Sequence, residues 1–112
     1  MRHMSFSLTT RQFLNGSKTV TRRLGWAYLK PGDRLQAVEK NQGLKRGEKI
    51  KRLGAIEIVN VRRERIDQVT GPDVLLEGFP DLSPQEFLVF FCKSMRCGPA
   101  TRVTRIEFRR LS

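Results

Sequence analysis

Gly16-Ser17-Lys18-Thr19-Val20-Thr21-Arg22-Arg23-Leu24 gathers a turn, three cations and three hydroxyls into nine consecutive residues. Gly16 is free to take positive φ and end a short helix, and Thr19, Val20 and Thr21 carry the β-branched bulk that suits a strand. The stretch reads as a bend running into a strand, with Lys18 at the bend and Arg22 and Arg23 at the exit. An ammonium, two guanidiniums and three hydroxyls supply the donors that a phosphate or a polarised carbonyl needs. In a regular strand Lys18 and Thr21 would point to opposite faces, so they converge only if Lys18 lies in the turn or the strand is bulged.

Upstream, Thr9 and Gln12 have the spacing of a capping box, and Phe13 and Leu14 supply the buried side of a short helix. Met1 to Met4 lacks the apolar run of a signal peptide, and His3 reads as a disordered terminal residue. Downstream, Trp26 and Tyr28 alternate with Ala27 and Leu29, after which Pro31-Gly32 fits the centre of a type II turn. Arg34 to Lys40 reads as a strand. Leu53 to Val61 reads as a central strand, bulged or buried on two faces. Thr70-Gly71-Pro72-Asp73 caps a helical turn that places Glu77 at its end. Ser83-Pro84-Gln85-Glu86 is the clearest helix start, and Gly98-Pro99 is its stop. The stripe Phe87, Leu88, Phe90, Phe91, Met95 reads as core rather than as a platform for bases. Arg102 to Leu111 closes the sheet, with Thr104, Ile106 and Phe108 on one face.

With 112 residues the chain suits one domain over 1–112, large enough to bury a core without disulfides or metal. Its 22 Lys and Arg against 11 Asp and Glu give a net charge of +11, which favours a polyanionic partner. Asn41 to Arg52 concentrates this charge in a loop, where Lys45, Arg46, Lys49, Lys51 and Arg52 stand ready to contact phosphate. No apolar run approaches membrane-spanning length, so no membrane contact is expected. Cys92 and Cys97, with His3 far off in the sequence, are too few ligands for zinc, so neither metal nor cofactor is expected. Reduced thiols suit the cytoplasm. Gly16-Ser17-Lys18-Thr19 lacks the earlier glycine of a phosphate-binding loop, which excludes that route to nucleotide triphosphate hydrolysis.

Four pieces stand in a telling order: Gly16 to Arg23; Leu29-Lys30-Pro31-Gly32-Asp33; Leu76-Glu77-Gly78-Phe79 with Ser83 to Phe87; and Val103 to Phe108. Together they resemble the ASCH domain family, in a small stand-alone bacterial or phage form, over nearly the whole chain. The resemblance implies an α+β fold: a small PUA-like β-barrel of about five to six strands with flanking short helices. It also implies binding of RNA, a nucleotide or a nucleoside derivative. In the leading reading Lys18, Arg22 and Arg23 hold phosphate, Thr21 and Glu77 hydrogen-bond a base or sugar, and Trp26 or Tyr28 stacks on the base. In the branch of ASCH-like proteins that hydrolyse N4-acetylcytidine, a Lys, a Thr and a Glu act together, and by motif these match Lys18, Thr21 and Glu77. There the lysine takes the threonine proton, the alkoxide attacks the amide carbonyl, and the glutamate orients the lysine or relays a proton. A third reading is a metal-independent ribonuclease working through Lys18 and Thr21.

Overall fold

β-Branched and aliphatic runs form the strands, and the computed structural model describes residues 1–40 and 44–111. Strands β1 (His3–Ser5), β2 (Val20–Arg23), β3 (Arg34–Val38), β4 (Arg52–Arg65) and β5 (Arg102–Arg110) make one mixed sheet in the order β1-β3-β4-β5-β2. Helices α1 (Thr10–Leu14), α2 (Gly71–Leu76) and α3 (Pro84–Met95) flank it, so the class is α+β, with five strands and short helices. The ladder does not close, since β1 and β2 form its two ends. The ends meet through side chains instead: the Arg23 guanidinium lies 4.9 Å from the centre of the Phe6 ring, just beyond β1.

Local chemistry explains most boundaries. At the Pro31-Gly32 turn, Asp33 N–H donates to Lys30 C=O at 3.0 Å and Gly32 takes φ +94°, the geometry a type II turn demands. The Ser83 box closes in both directions, Glu86 N–H to Ser83 Oγ at 3.1 Å and Ser83 N–H to Glu86 Oε1 at 2.9 Å. β4 is bulged between Ile58 and Asn60, which lets its residues pair β3 first and then run on along β5.

Three local readings are corrected. Thr9 makes no side-chain cap; the hydroxyl of Thr10 donates to Phe6 C=O at 2.8 Å and ties α1 to the end of β1. α3 stops before Gly98-Pro99, because Arg96 adopts the left-handed conformation at φ 53° and turns Cys97 N–H back onto Cys92 C=O. His3 is not a free terminus: it lies in β1, opposite Gln36 in parallel register.

Period-two alternation along β5 assigns a role to each sheet face. Ile106 and Phe108 enter the main core with Met4, Phe6, Phe13, Leu35, Ile56 and Ile58. Phe6, Phe13 and Phe108 form its aromatic centre, with ring centres 4.8 to 5.9 Å apart. Val103 points the other way and packs with Ile66, Val69, Val74, Phe87 and Phe91 under α2 and α3. Full burial of each such side chain stabilises by roughly 1.5–3 kcal/mol.

Candidate functional site

The site forms where α1, the bend before β2 and the end of α2 are tied together through their backbones. Lys18 N–H donates to Gln12 C=O at 3.1 Å, and Thr19 N–H to Leu76 C=O at 2.9 Å. Thr19 C=O accepts from Phe108 N–H at 3.0 Å, fastening the bend to β5 as well. This convergence requires Gly78, which sits at φ +97°: a Cβ there would fall 2.7 Å from Gln12 Cβ and 2.8 Å from Gln12 Cγ. Glu77, the C-cap of α2, is thereby delivered onto the bend. Lys18 Nζ lies 2.7 Å from Glu77 Oε1 and 3.1 Å from the Glu77 carbonyl oxygen.

Sheet register then creates an electrostatic problem that carboxylates solve. Arg22 is opposite Arg105, and Arg105 is opposite Arg62, so three guanidiniums stand side by side on the helix-covered face. Like charges in directly opposed positions repel. Glu64 of β4 and Asp73 and Glu77 of α2 interleave among them. Arg22 meets Glu77 Oε2 at 3.0 Å, Asp73 Oδ2 at 2.9 Å and Glu64 Oε2 at 3.3 Å, and Arg105 meets Asp73 Oδ1 at 3.2 Å. The Arg22 side chain is 0% exposed. With its donors given to three carboxylates and no solvent access, it is not placed to hold phosphate; it organises the acids around Lys18.

Burial pushes the Lys18 ammonium below its ordinary pKa, Glu77 pulls it back, and Arg23 and Arg22 add to the depression; the net direction is down. Burial likewise brings Arg23 down to about 10, against the pull of Glu77. Burial would raise Asp73, but Arg22, with help from Thr70 and Arg105, holds it below the usual carboxylate value.

A cleft of about 120 Å³ opens beside this network, lined by Lys18, Thr21, Arg23 and Glu77. Phe79, Phe87, Phe90, Phe91 and Met95 form its apolar wall, and Ser5 to Thr9 its rim. Lys18 and Thr21 both line the cleft, and two features of the fold allow it. Lys18 precedes β2, and β2 is an end strand of the sheet, so side chains from both of its faces reach a cleft along it. Arg22 is also among the lining residues, although its side chain is sealed from solvent. Thr21 Oγ1 accepts a hydrogen bond from Arg23 Nε at 3.1 Å, which leaves the hydroxyl proton available to a base or ligand.

Lys18, Thr21, Arg23 and Glu77 are thus brought together, whereas Trp26 is not among the lining residues and packs against the main core. Lys45, Arg46, Lys49 and Lys51 are exposed on the loop between β3 and β4, whereas Arg52, read as the loop's last residue, is the exposed first residue of β4, opposite Val38; residues 41–43 of that loop lie outside the described residues. The root of the loop abuts the cleft rim, since Ser5 Oγ donates to Glu39 C=O at 3.1 Å and Phe6 N–H to Val38 C=O at 2.8 Å. Sequence reading missed Asp73, Glu64 and Arg105, whose roles arise from cross-strand register. Phe90 and Met95, read as core, do pack against the second core, and they also line the cleft.

Among the described residues no group of three or more His, Cys, Asp or Glu is placed to hold a metal ion, and no helix is long and apolar enough to cross a membrane. Neither a family model nor a curated protein matches the sequence. Solved structures do. The chain is similar to a DUF984 protein from Enterococcus faecalis V583, with TM-score 0.70 and 16% identity over 99% of this chain and 76% of that one. It is also similar to an ASCH domain from Lactobacillus crispatus JV V101, with TM-score 0.62 and 18% identity over 97% of this chain and 78% of that one. By these likenesses the fold is ASCH-like.

Proposed function

We propose that the cleft hydrolyses an acyl amide carried on a nucleobase, with N4-acetylcytidine as the substrate to test. The observation that carries this reading is that a buried, pKa-depressed Lys18, held by Glu77, lines the same aromatic-walled cleft as Thr21. Depression of the lysine makes its neutral amine accessible as a base. Lys18 Nζ removes the Thr21 proton, Oγ1 attacks the acyl carbon, and Arg23, already donating to Oγ1, stabilises the negative charge that develops there. Collapse breaks the C–N bond, the base amine leaves with the proton returned from Lys18, and water then releases acetate from Thr21 by the same proton route. Arg22, 3.0 Å from Glu77 Oε2, holds the Glu77 carboxylate in place against Lys18.

Incubation of the protein with N4-acetylcytidine, followed chromatographically, should release cytidine. Thr21→Val, Lys18→Met and Glu77→Gln should each lower kcat by about 10²–10⁴, the usual contribution of a nucleophile or positioned base. Absence of release by the wild-type protein overturns the reading.

RNA binding is the second reading, supported by the basic loop that leaves β3 beside the cleft rim. The loop cations, rather than the sealed Arg22, are then the phosphate contacts. Binding of an RNA oligonucleotide should weaken steeply with salt, because each neutralised phosphate releases counterions. A flat salt dependence counts against it.

A further inference from the structure

We infer that Trp26 and Tyr28 form a stacking site for the bases of single-stranded nucleic acid, outside the cleft, with Arg2 and Arg63 beside it for the flanking phosphates. This deepens the RNA reading and rests on it. Trp26 sits at φ 66°, in the left-handed region that a bulky aromatic side chain rarely adopts. Strain of this kind persists where surrounding structure imposes it, and it concentrates at ligand-binding positions. The turn brings the Trp26 and Tyr28 rings to 5.9 Å between centres at 28° between planes, close to parallel stacking.

Core packing accounts for only part of this arrangement. Trp26 is partly buried against the main core, but Tyr28 remains 60% exposed and gains little from burial. The Arg2 guanidinium lies 5.0 Å from the centre of the Tyr28 ring, and the Arg2 side chain is itself half exposed. A planar cation already rests where the π-face of a base would stack, and it can be displaced toward a phosphate. Arg63 donates to Thr104 Oγ1 at 2.7 Å, and Thr104 donates to Gly25 C=O at 2.6 Å, which ties a second arginine, exposed as a residue, to the segment leading into Trp26. Aromatic rings interleaved with arginines on a chain of net charge +11 match a polyanion that carries unpaired bases. Stacking on such rings tolerates any base, because every base has a π-face.

Trp26 is the single tryptophan, so its emission reports on this site alone. The test titrates the full chain with oligouridylate of about 12 nucleotides, within the usual span of single-strand sites. Tryptophan emission and the anisotropy of a 5′-labelled strand are both followed. Emission should quench saturably with the same midpoint as the anisotropy, and Tyr28→Ala should weaken binding about 5-fold or more. Tyr28 is exposed, so that variant keeps its fold. Arg2→Gln should reduce the salt slope by about 0.7. If the strand binds with a steep salt slope while emission stays constant and Tyr28→Ala binds like wild type, the stacking site is overturned and the RNA reading stands on the loop. If no strand binds at low salt, both fall.

Discussion

Two groups of cations in this molecule share their side-chain chemistry and differ in what surrounds them. Lys18, Arg22 and Arg105 are buried against Glu64, Asp73 and Glu77, and their charge is spent inside the protein. Lys45, Arg46, Lys49, Lys51 and Arg52 are exposed, with only partial neutralisation by Glu39 and Glu48, at 3.6 Å from Lys51 and 3.5 Å from Lys40. In the first group geometry governs, because a buried charge without its partner is heavily penalised. In the second, charge density governs, and individual residues are interchangeable. Arg23, next to Arg22, belongs to neither group: it is half-buried and reaches the cleft and the Thr21 hydroxyl, while Arg22 is sealed among acids.

The sharpest way to break this comparison is to remove one cation from each group. Arg22→Met takes the shared buried partner from three carboxylates, leaving Glu77 to Lys18, Asp73 to Arg105 and Glu64 to Arg62, and should destabilise by about 3–5 kcal/mol in urea unfolding, whereas Lys49→Met in the loop should stay within about 0.5 kcal/mol. Equal effects would dissolve the distinction. Next in size, Gly78→Ala should cost roughly 2–5 kcal/mol by thermal unfolding, from positive φ and from the overlap with Gln12. It should impair the cleft through Glu77 even under conditions where the protein remains folded.

A smaller effect concerns acid. The folded-state pKa of Asp73 lies below the unfolded value near 3.8, so the unfolded chain binds the proton more readily. The stability Asp73 contributes is therefore complete above about pH 5 and disappears as pH falls through the depressed value. The gap in unfolding free energy between wild type and Asp73→Asn should be widest near pH 7 and shrink toward pH 2. An unchanging gap would mean that the Arg22 pairing is not what holds Asp73 ionised. Smallest on stability is the paired change Lys45→Gln with Lys49→Gln. It should leave unfolding within about 0.5 kcal/mol of wild type while lowering the salt slope of single-strand binding by about 0.7 for each phosphate that is no longer neutralised.

Much of the fold was legible locally. Pro31-Gly32 and Ser83-Pro84-Gln85-Glu86 carry their conformations in their own residues, and both formed as read. The capping box at Thr9 did not form: Thr9 takes φ −136° and ψ 30°, away from the extended conformation of a capping residue, and the hydroxyl of Thr10 bonds Phe6 C=O instead. β1 was missed because three residues at a terminus carry no period; only pairing with β3 makes them a strand. For the site, Lys18, Thr21 and Glu77 were legible as a motif, and the structure places them along one cleft.

Local sequence determined the helix starts at Thr70 and Ser83, the type II turn and the concentration of positive charge between β3 and β4, since each depends on residues within a few positions of one another, while the α+β class was read from the family resemblance. Tertiary structure alone decided which cations face solvent. The Arg22, Arg105, Arg62 alignment is a matter of strand register, and Glu77 reaches Lys18 only because Gly78 lets two helices and a bend close on one point. Burial and pairing are properties of contacts between residues 59 apart in the chain, and no local propensity encodes them.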